Sequence, residues 1–206
     1  MKIRCWSLVS TALVVNICLV EAAFAGAFED ALVSAAIERT QHEVRYDGSY
    51  HSISYPNGDV PAEIGVCTDV VIRSYRALGV DLQVLVHDDM RSHFDQYPSR
   101  RLWGLKSTDR NIDHRRVPNL QVFFTRHGEE LPIGNKPQDY APGDIVSWML
   151  PGNLPHIGIV SDRQALDSGN PLIVHNIGAG PSLDDMLFAY RITGHYRYIP
   201  KDREIE

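Results

Sequence analysis

The chain has 206 residues and a formal net charge of −6 at pH 7, with 26 acidic against 20 basic side chains. That balance, without a basic stripe, excludes nucleic acid as the expected partner. At 44 % hydrophobic residues the composition suits a globular domain with a real core.

Residues 1–25 read as a cleavable export signal. Lys2 and Arg4 form the positive start, Trp6 to Val20 the apolar run, and Ala23-Phe24-Ala25 the small-x-small cleavage pattern. The run is too short to span a bilayer comfortably, and Ile17 stands where a lipoprotein signal centred on Cys18 would carry a small residue. The expectation is export, to the periplasm or beyond. The mature chain, residues 26–206, then forms one domain with no integral membrane segment. Its formal charge is −7, because Lys2, Arg4 and Glu21 together carry +1. Cys5 and Cys18 leave with the signal, so Cys67 remains alone and no internal disulfide can form. An unpaired cysteine in an exported domain is either buried and inert or a reactive thiol.

Along the mature chain, Phe28, Leu32, Ala35, Ala36 and Arg39 fall at helical spacing, predicting a first helix over Phe28 to Val44. Tyr46 to Gly65 turns polar and tyrosine-rich, with a strong turn signal at Tyr55-Pro56-Asn57-Gly58-Asp59. Val66, Val70, Val71, Ser74, Ala77 and Leu78 then follow helical spacing up to Gly79, a helix-ending glycine. Cys67 falls in the first turn of that helix. A shorter helix is predicted from Asp88-Asp89 to Tyr97, with Met90 and Phe94 inward, and another from an Asn119 cap to Gly128.

The second half changes period: Ile145 to Met149, Ile157 to Val160, Leu172 to Val174 and Phe188 to Ile199 are short apolar runs between turns, as in an antiparallel meander. Helices first and strands afterwards predict an α+β domain, its N-terminal helices packed on one sheet.

A helix start lowers a thiol's pKa through its unpaired N–H groups and positive dipole end. Such a thiol also needs a base, usually a histidine held by a third polar group. With nine histidines present, position must discriminate. His156 opens the strand Ile157-Gly158-Ile159-Val160, and His175 ends the run Leu172-Ile173-Val174, with Asn176 as the competing third residue.

Gly65-Val66-Cys67-Thr68-Asp69, Pro142-Gly143-Asp144-Ile145-Val146, His156-Ile157-Gly158-Ile159-Val160 and Ile173-Val174-His175 together resemble the ordered signature of the NlpC/P60 superfamily of papain-like cysteine hydrolases. More narrowly, Tyr55 to Pro61, Gly65 to Asp69 and Asp81-Leu82-Gln83 resemble the bacterial DUF1287 family over most of the mature chain. The resemblance implies a papain-like NlpC/P60 α+β fold. It implies Cys67 as nucleophile, His156 as base and later acid, and His175 as the orienting group. It also suggests Tyr55 as a donor near the oxyanion. Val66 and Thr68 flank the cysteine where many superfamily members carry Asp and Ser, and Asp69 lies two residues on, either capping its own helix or binding substrate amines.

The basic pairs Arg100-Arg101 and Arg115-Arg116 read as solvated surface, as does the His87, Asp88, Asp89, His93 cluster, whose spacing does not suit a metal. Trp103 and Trp148 read as packing residues. No cofactor or metal is implied. The resulting expectation is a monomeric periplasmic cysteine peptidase or amidase acting on peptidoglycan or a peptide. An acyltransferase using the same thiol and a non-catalytic wall-binding module are the rivals.

Overall fold

A computed structural model describes residues 26–200; the segment read as an export signal, with Cys5 and Cys18, lies outside these residues. Helix α1 covers 26–39. Two short strands, β1 (Arg45–Tyr46) and β2 (Ile64–Gly65), pair in parallel across the tyrosine-rich loop, with Tyr46 opposite Gly65. Helices α2 (Cys67–Ala77) and α3 (Leu82–His93) follow, then α4 (Ser99–Trp103) and α5 (Val117–His127).

The remaining strands are β3 (Glu129–Glu130), β4 (Ile145–Leu150), β5 (Leu154–Gln164), β6 (Pro171–Asn176), β7 (Pro181–Asp184) and β8 (Arg191–Arg197). They form an antiparallel sheet in the order β3-β8-β4-β5-β6-β7. The expected meander is present from β4 to β7, but β8 returns to pair with β4 on the opposite side. The fold is thus α+β, with helices and an antiparallel sheet.

Successive residues of a strand face opposite sides, and here both sides are covered. Ile145, Ile157, Ile159 and Val174 join Leu32, Val71, Tyr75 and Phe124 in the helix-side core. Val146, Trp148, Val160 and Ile173 meet Tyr140, Met186 and Leu187 on the other. Two covered faces explain why the strands read as continuous apolar runs.

Several predicted boundaries move. Helix α3 begins at Leu82, because the Asp81 side chain accepts from Gln83 N–H at 3.0 Å and caps it; Asp88-Asp89 lie inside the helix. Helix α5 begins at Val117, ahead of Pro118, and the expected cap Asn119 instead spends its side chain on Asp113 and Ser99. Arg115 is buried and Arg116 is paired with Asp113 and laid over Trp103, so that basic pair is not solvated.

The turn motif and the Asp81-Leu82-Gln83 motif lock together. Asp81 accepts from Asn57 N–H at 2.7 Å, and Gln83 accepts from Gly58 N–H at 2.8 Å while donating to the Ser54 carbonyl at 2.9 Å. Residues 54–58 are therefore pinned to the start of α3. A Cβ on Gly58 would sit 1.9 Å from the Ser54 oxygen, which is why the turn needs glycine there.

Candidate active site

Val66 approaches in extended backbone and Cys67 opens α2. The first-turn N–H groups of a helix need acceptors, and valine offers none. Asp69 supplies one from within the helix, its Oδ2 accepting Val66 N–H at 2.7 Å. Both Asp69 oxygens also receive the Arg115 guanidinium, Nε at 2.9 Å and Nη2 at 2.9 Å, in a pair whose side chains are each 3 % exposed. Thr68 donates to the Arg115 carbonyl at 3.1 Å. The expected capping role of Asp69 is met; the substrate-amine alternative finds both oxygens already engaged.

Helix α2 packs on β5 and β6. The backbone N–H of Ile157 points at Cys67 Sγ, together with those of Thr68 and Cys67 itself. Burial outweighs these donors and pushes the thiol up to about 11. The lowering expected from the helix start is therefore reversed, because removing water from a thiolate costs more than three N–H dipoles return.

His156 lies on β5 and His175 on the adjacent strand β6. His156 Nε2 is 3.0 Å from His175 Nδ1, and His175 Nε2 is 3.0 Å from Asp184 Oδ2. A carboxylate only accepts, so His175 Nε2 carries the proton and its Nδ1 is an acceptor; His156 Nε2–H must then donate to it. In neutral His156, Nδ1 is then the unprotonated nitrogen. The sheet builds the chain geometrically: His175 stands opposite Ser182, so Asp184 is its same-face diagonal neighbour. Ser182 Oγ steadies Asp184 at 2.6 Å. Burial and the neighbouring His175 push His156 down to about 3, and burial lowers His175 against the opposing pull of Asp184. Trp148, opposite His156 in the β4–β5 register, backs the imidazole with ring centroids 6.0 Å apart.

His175 therefore meets His156, and Asn176 does not: its Oδ1 accepts from Gly178 N–H at 3.0 Å. Tyr55 is drawn elsewhere, edge-on to His87 at 5.3 Å and under the Arg110 guanidinium at 5.7 Å. The tyrosine at the thiol is Tyr46, whose hydroxyl hydrogen-bonds with Cys67; burial and then the thiol push it up to about 12. The sequence reading missed Tyr46 and Asp184. Tyr46 is brought in by the parallel pairing of β1 with β2, a long-range contact; Asp184 had a weak local signal in the Ser182-Leu183-Asp184 alternation.

The Pro-Gly-Asp motif is structural. Asp144 is fully buried and accepts from His195 Nε2 at 2.8 Å and Arg197 Nη2 at 2.7 Å. Asp89 corrects the solvated reading of its cluster: it is buried and accepts from Arg126 Nε at 2.7 Å and the Tyr97 hydroxyl at 2.6 Å. Among the described residues no group of three or more His, Cys, Asp or Glu is placed to hold a metal ion. Nor is any described helix long and apolar enough to cross a membrane.

The family described as "Domain of unknown function (DUF1287)" matches residues 33–198. A relative from Escherichia coli (strain K12), named "Uncharacterized protein YijF", is 52 % identical over 171 residues, covering 83 % of this chain and 82 % of its own. The family match spans the thiol helix, both histidine strands and β7, and with this match and relative the chain belongs to the DUF1287 family.

Proposed function

We propose that the protein is an exported, papain-like cysteine hydrolase of the NlpC/P60 kind that cleaves an amide bond, with peptidoglycan stem or cross-bridge peptides as substrate. The observation that carries this reading is the relay Asp184–His175–His156, which leaves a lone pair on His156 Nδ1. The next residue, Ile157, reaches the Cys67 sulfur with its N–H.

The free enzyme rests as neutral thiol and neutral imidazole. The step requires substrate binding to bring His156 Nδ1 within hydrogen-bond reach of Cys67 Sγ; Sγ then attacks the carbonyl carbon while its proton passes to Nδ1, and the imidazolium is stabilised through His175 by Asp184. The carbonyl oxygen becomes an oxyanion within reach of the Cys67 N–H and the Tyr46 hydroxyl. Collapse expels the amine, which takes the proton from Nδ1 and leaves a thioester. Water attacks that thioester, gives its proton to Nδ1, and releases the carboxylic acid and the thiol. The periplasmic location and the wall polymer rest on the export signal and the family resemblance.

The test incubates the mature protein and Cys67→Ala with peptidoglycan sacs and analyses soluble fragments by mass spectrometry. New amine and carboxyl termini are expected from the wild type alone. Equal release by both proteins, across several wall types, overturns the proposal. Fragments joined to an added amine acceptor would assign transfer in place of hydrolysis.

A further inference from the structure

A cavity of about 500 Å³ opens on the flank of α2, between the end of α1 and the β6–β7 turn. Its wall carries Arg39, Arg73, Arg76 and Asn176 beside apolar Val66 and Pro181. Among the described residues, three buried N–H donors of this wall have no hydrogen-bond partner, Arg39 Nε, Arg76 Nε and Asn176 Nδ2, while Arg76 Nη1 is taken up by Asp59. Asn176 is 1 % exposed, and its orientation is set by the Oδ1 bond to Gly178 N–H, which leaves Nδ2 as the free end.

The acceptors in the wall are already spent. Asp59 takes Arg73 Nε at 3.0 Å and lies 2.9 Å from Arg76 Nη1, while Asp69 is neutralised from outside the cavity by Arg115. Arg39 is paired with Glu38, so three guanidinium groups meet two carboxylates, Glu38 and Asp59, and the wall keeps one net positive charge beside its unpartnered donors. Such a wall binds an anion. Its apolar half favours an organic carboxylate, whose carbon chain it can cover, over inorganic phosphate, which offers no apolar surface.

Position supplies the rest. Val66 immediately precedes Cys67 and Asn176 immediately follows His175, so the cavity begins one residue from each of two members of the proposed active site. We infer that it is a carboxylate subsite, which uses Asn176 and Arg39 to hold a free carboxylate carried by the substrate next to the scissile amide; the second half of this statement rests on the hydrolase reading.

The test is direct binding to the Cys67→Ala protein, which needs no turnover. Glutarate, glutaramide and inorganic phosphate are titrated while the Asn176 side-chain amide and the Arg39 Nε–H are followed by ¹⁵N–¹H NMR. Glutarate is expected to shift both signals saturably, and glutaramide neither. Asn176→Asp keeps the bond to Gly178 but replaces the donor with an anion; Arg39→Gln removes the charge from an α1 terminus. Each is expected to weaken glutarate binding about tenfold or more, the loss of one charge-assisted contact, with the thermal midpoint unchanged. Absence of saturable glutarate shifts, equal binding of glutaramide, tighter binding of phosphate, or undiminished binding by both folded variants would each overturn the subsite. Sac digestion without glutarate binding refutes the subsite alone, and glutarate binding without sac digestion refutes the hydrolase alone.

Discussion

In the folded protein burial makes Cys67 a sluggish thiol. Alkylation follows the thiolate fraction, and burial moves this thiol from 9.0 to about 11. Two pH units correspond to about a hundredfold less thiolate anywhere below pH 9. Iodoacetamide labelling of the native protein, read by intact mass, is therefore expected about a hundredfold slower than in urea-unfolded protein at pH 8, rising about tenfold per pH unit. The same shift is a stability statement. The fold favours the neutral thiol, so its contribution, about 3 kcal/mol, is complete below about pH 9 and lost as pH rises through about 11. Denaturation midpoints measured from pH 8 to 11 should fall in the wild type with a component missing from Cys67→Ala. A labelling inflection at or below pH 9, or a plateau across pH 6 to 8 of the kind a preformed thiolate–imidazolium pair produces, refutes the reasoning.

Other outcomes follow from the same geometry. On the hydrolase reading, Tyr46→Phe is expected to lower kcat about 100-fold or more, the loss of one oxyanion donor, while Tyr55→Phe leaves it unchanged; the sac digestion rate separates them. Asp184→Asn is expected to cost about tenfold in kcat with little change in KM, since the carboxylate is half exposed and partly screened. Asp69→Asn leaves the buried Arg115 guanidinium without its counter-charge, a loss of about 3–5 kcal/mol and roughly 10 °C in Tm by calorimetry. His114 and His156, both pushed by burial to about 3, stay neutral in the fold while the unfolded chain protonates them near 6.5. Their stabilisation is complete above about pH 6.5 and declines as pH falls toward 3. Asp113, pushed by burial up to about 6, opposes this by gaining a proton in the fold. Among these three groups, two histidines against one carboxylate leave a net loss of about 1.4 kcal/mol per pH unit between 6 and 4; urea midpoints at pH 7 and 5 check the direction, and His114→Gln should flatten the slope.

Much of the frame was legible in the sequence because it is written in local periods. The apolar spacing after Gly65, closed by Gly79 with its positive φ of 70°, located α2 and put Cys67 at its start. The β-branched runs located β4, β5 and β6, and with them His156 and His175. Their pairing at 3.0 Å agrees with that order.

What local signals could not carry was decided by contacts between distant segments. Tyr46 reaches the thiol through a two-residue parallel strand pair, and Arg115 reaches Asp69 across 46 positions of chain. The direction of the Cys67 shift was likewise tertiary: the helix start, a local feature, favours the thiolate, whereas the packing of α2 on β5 and β6 removes the water that would solvate it. The sequence by itself determined the elements that carry Cys67, His156 and His175 and their order along the chain; only the tertiary structure decided their neighbours and their charge at rest, because burial and long-range pairing are properties of the packed chain.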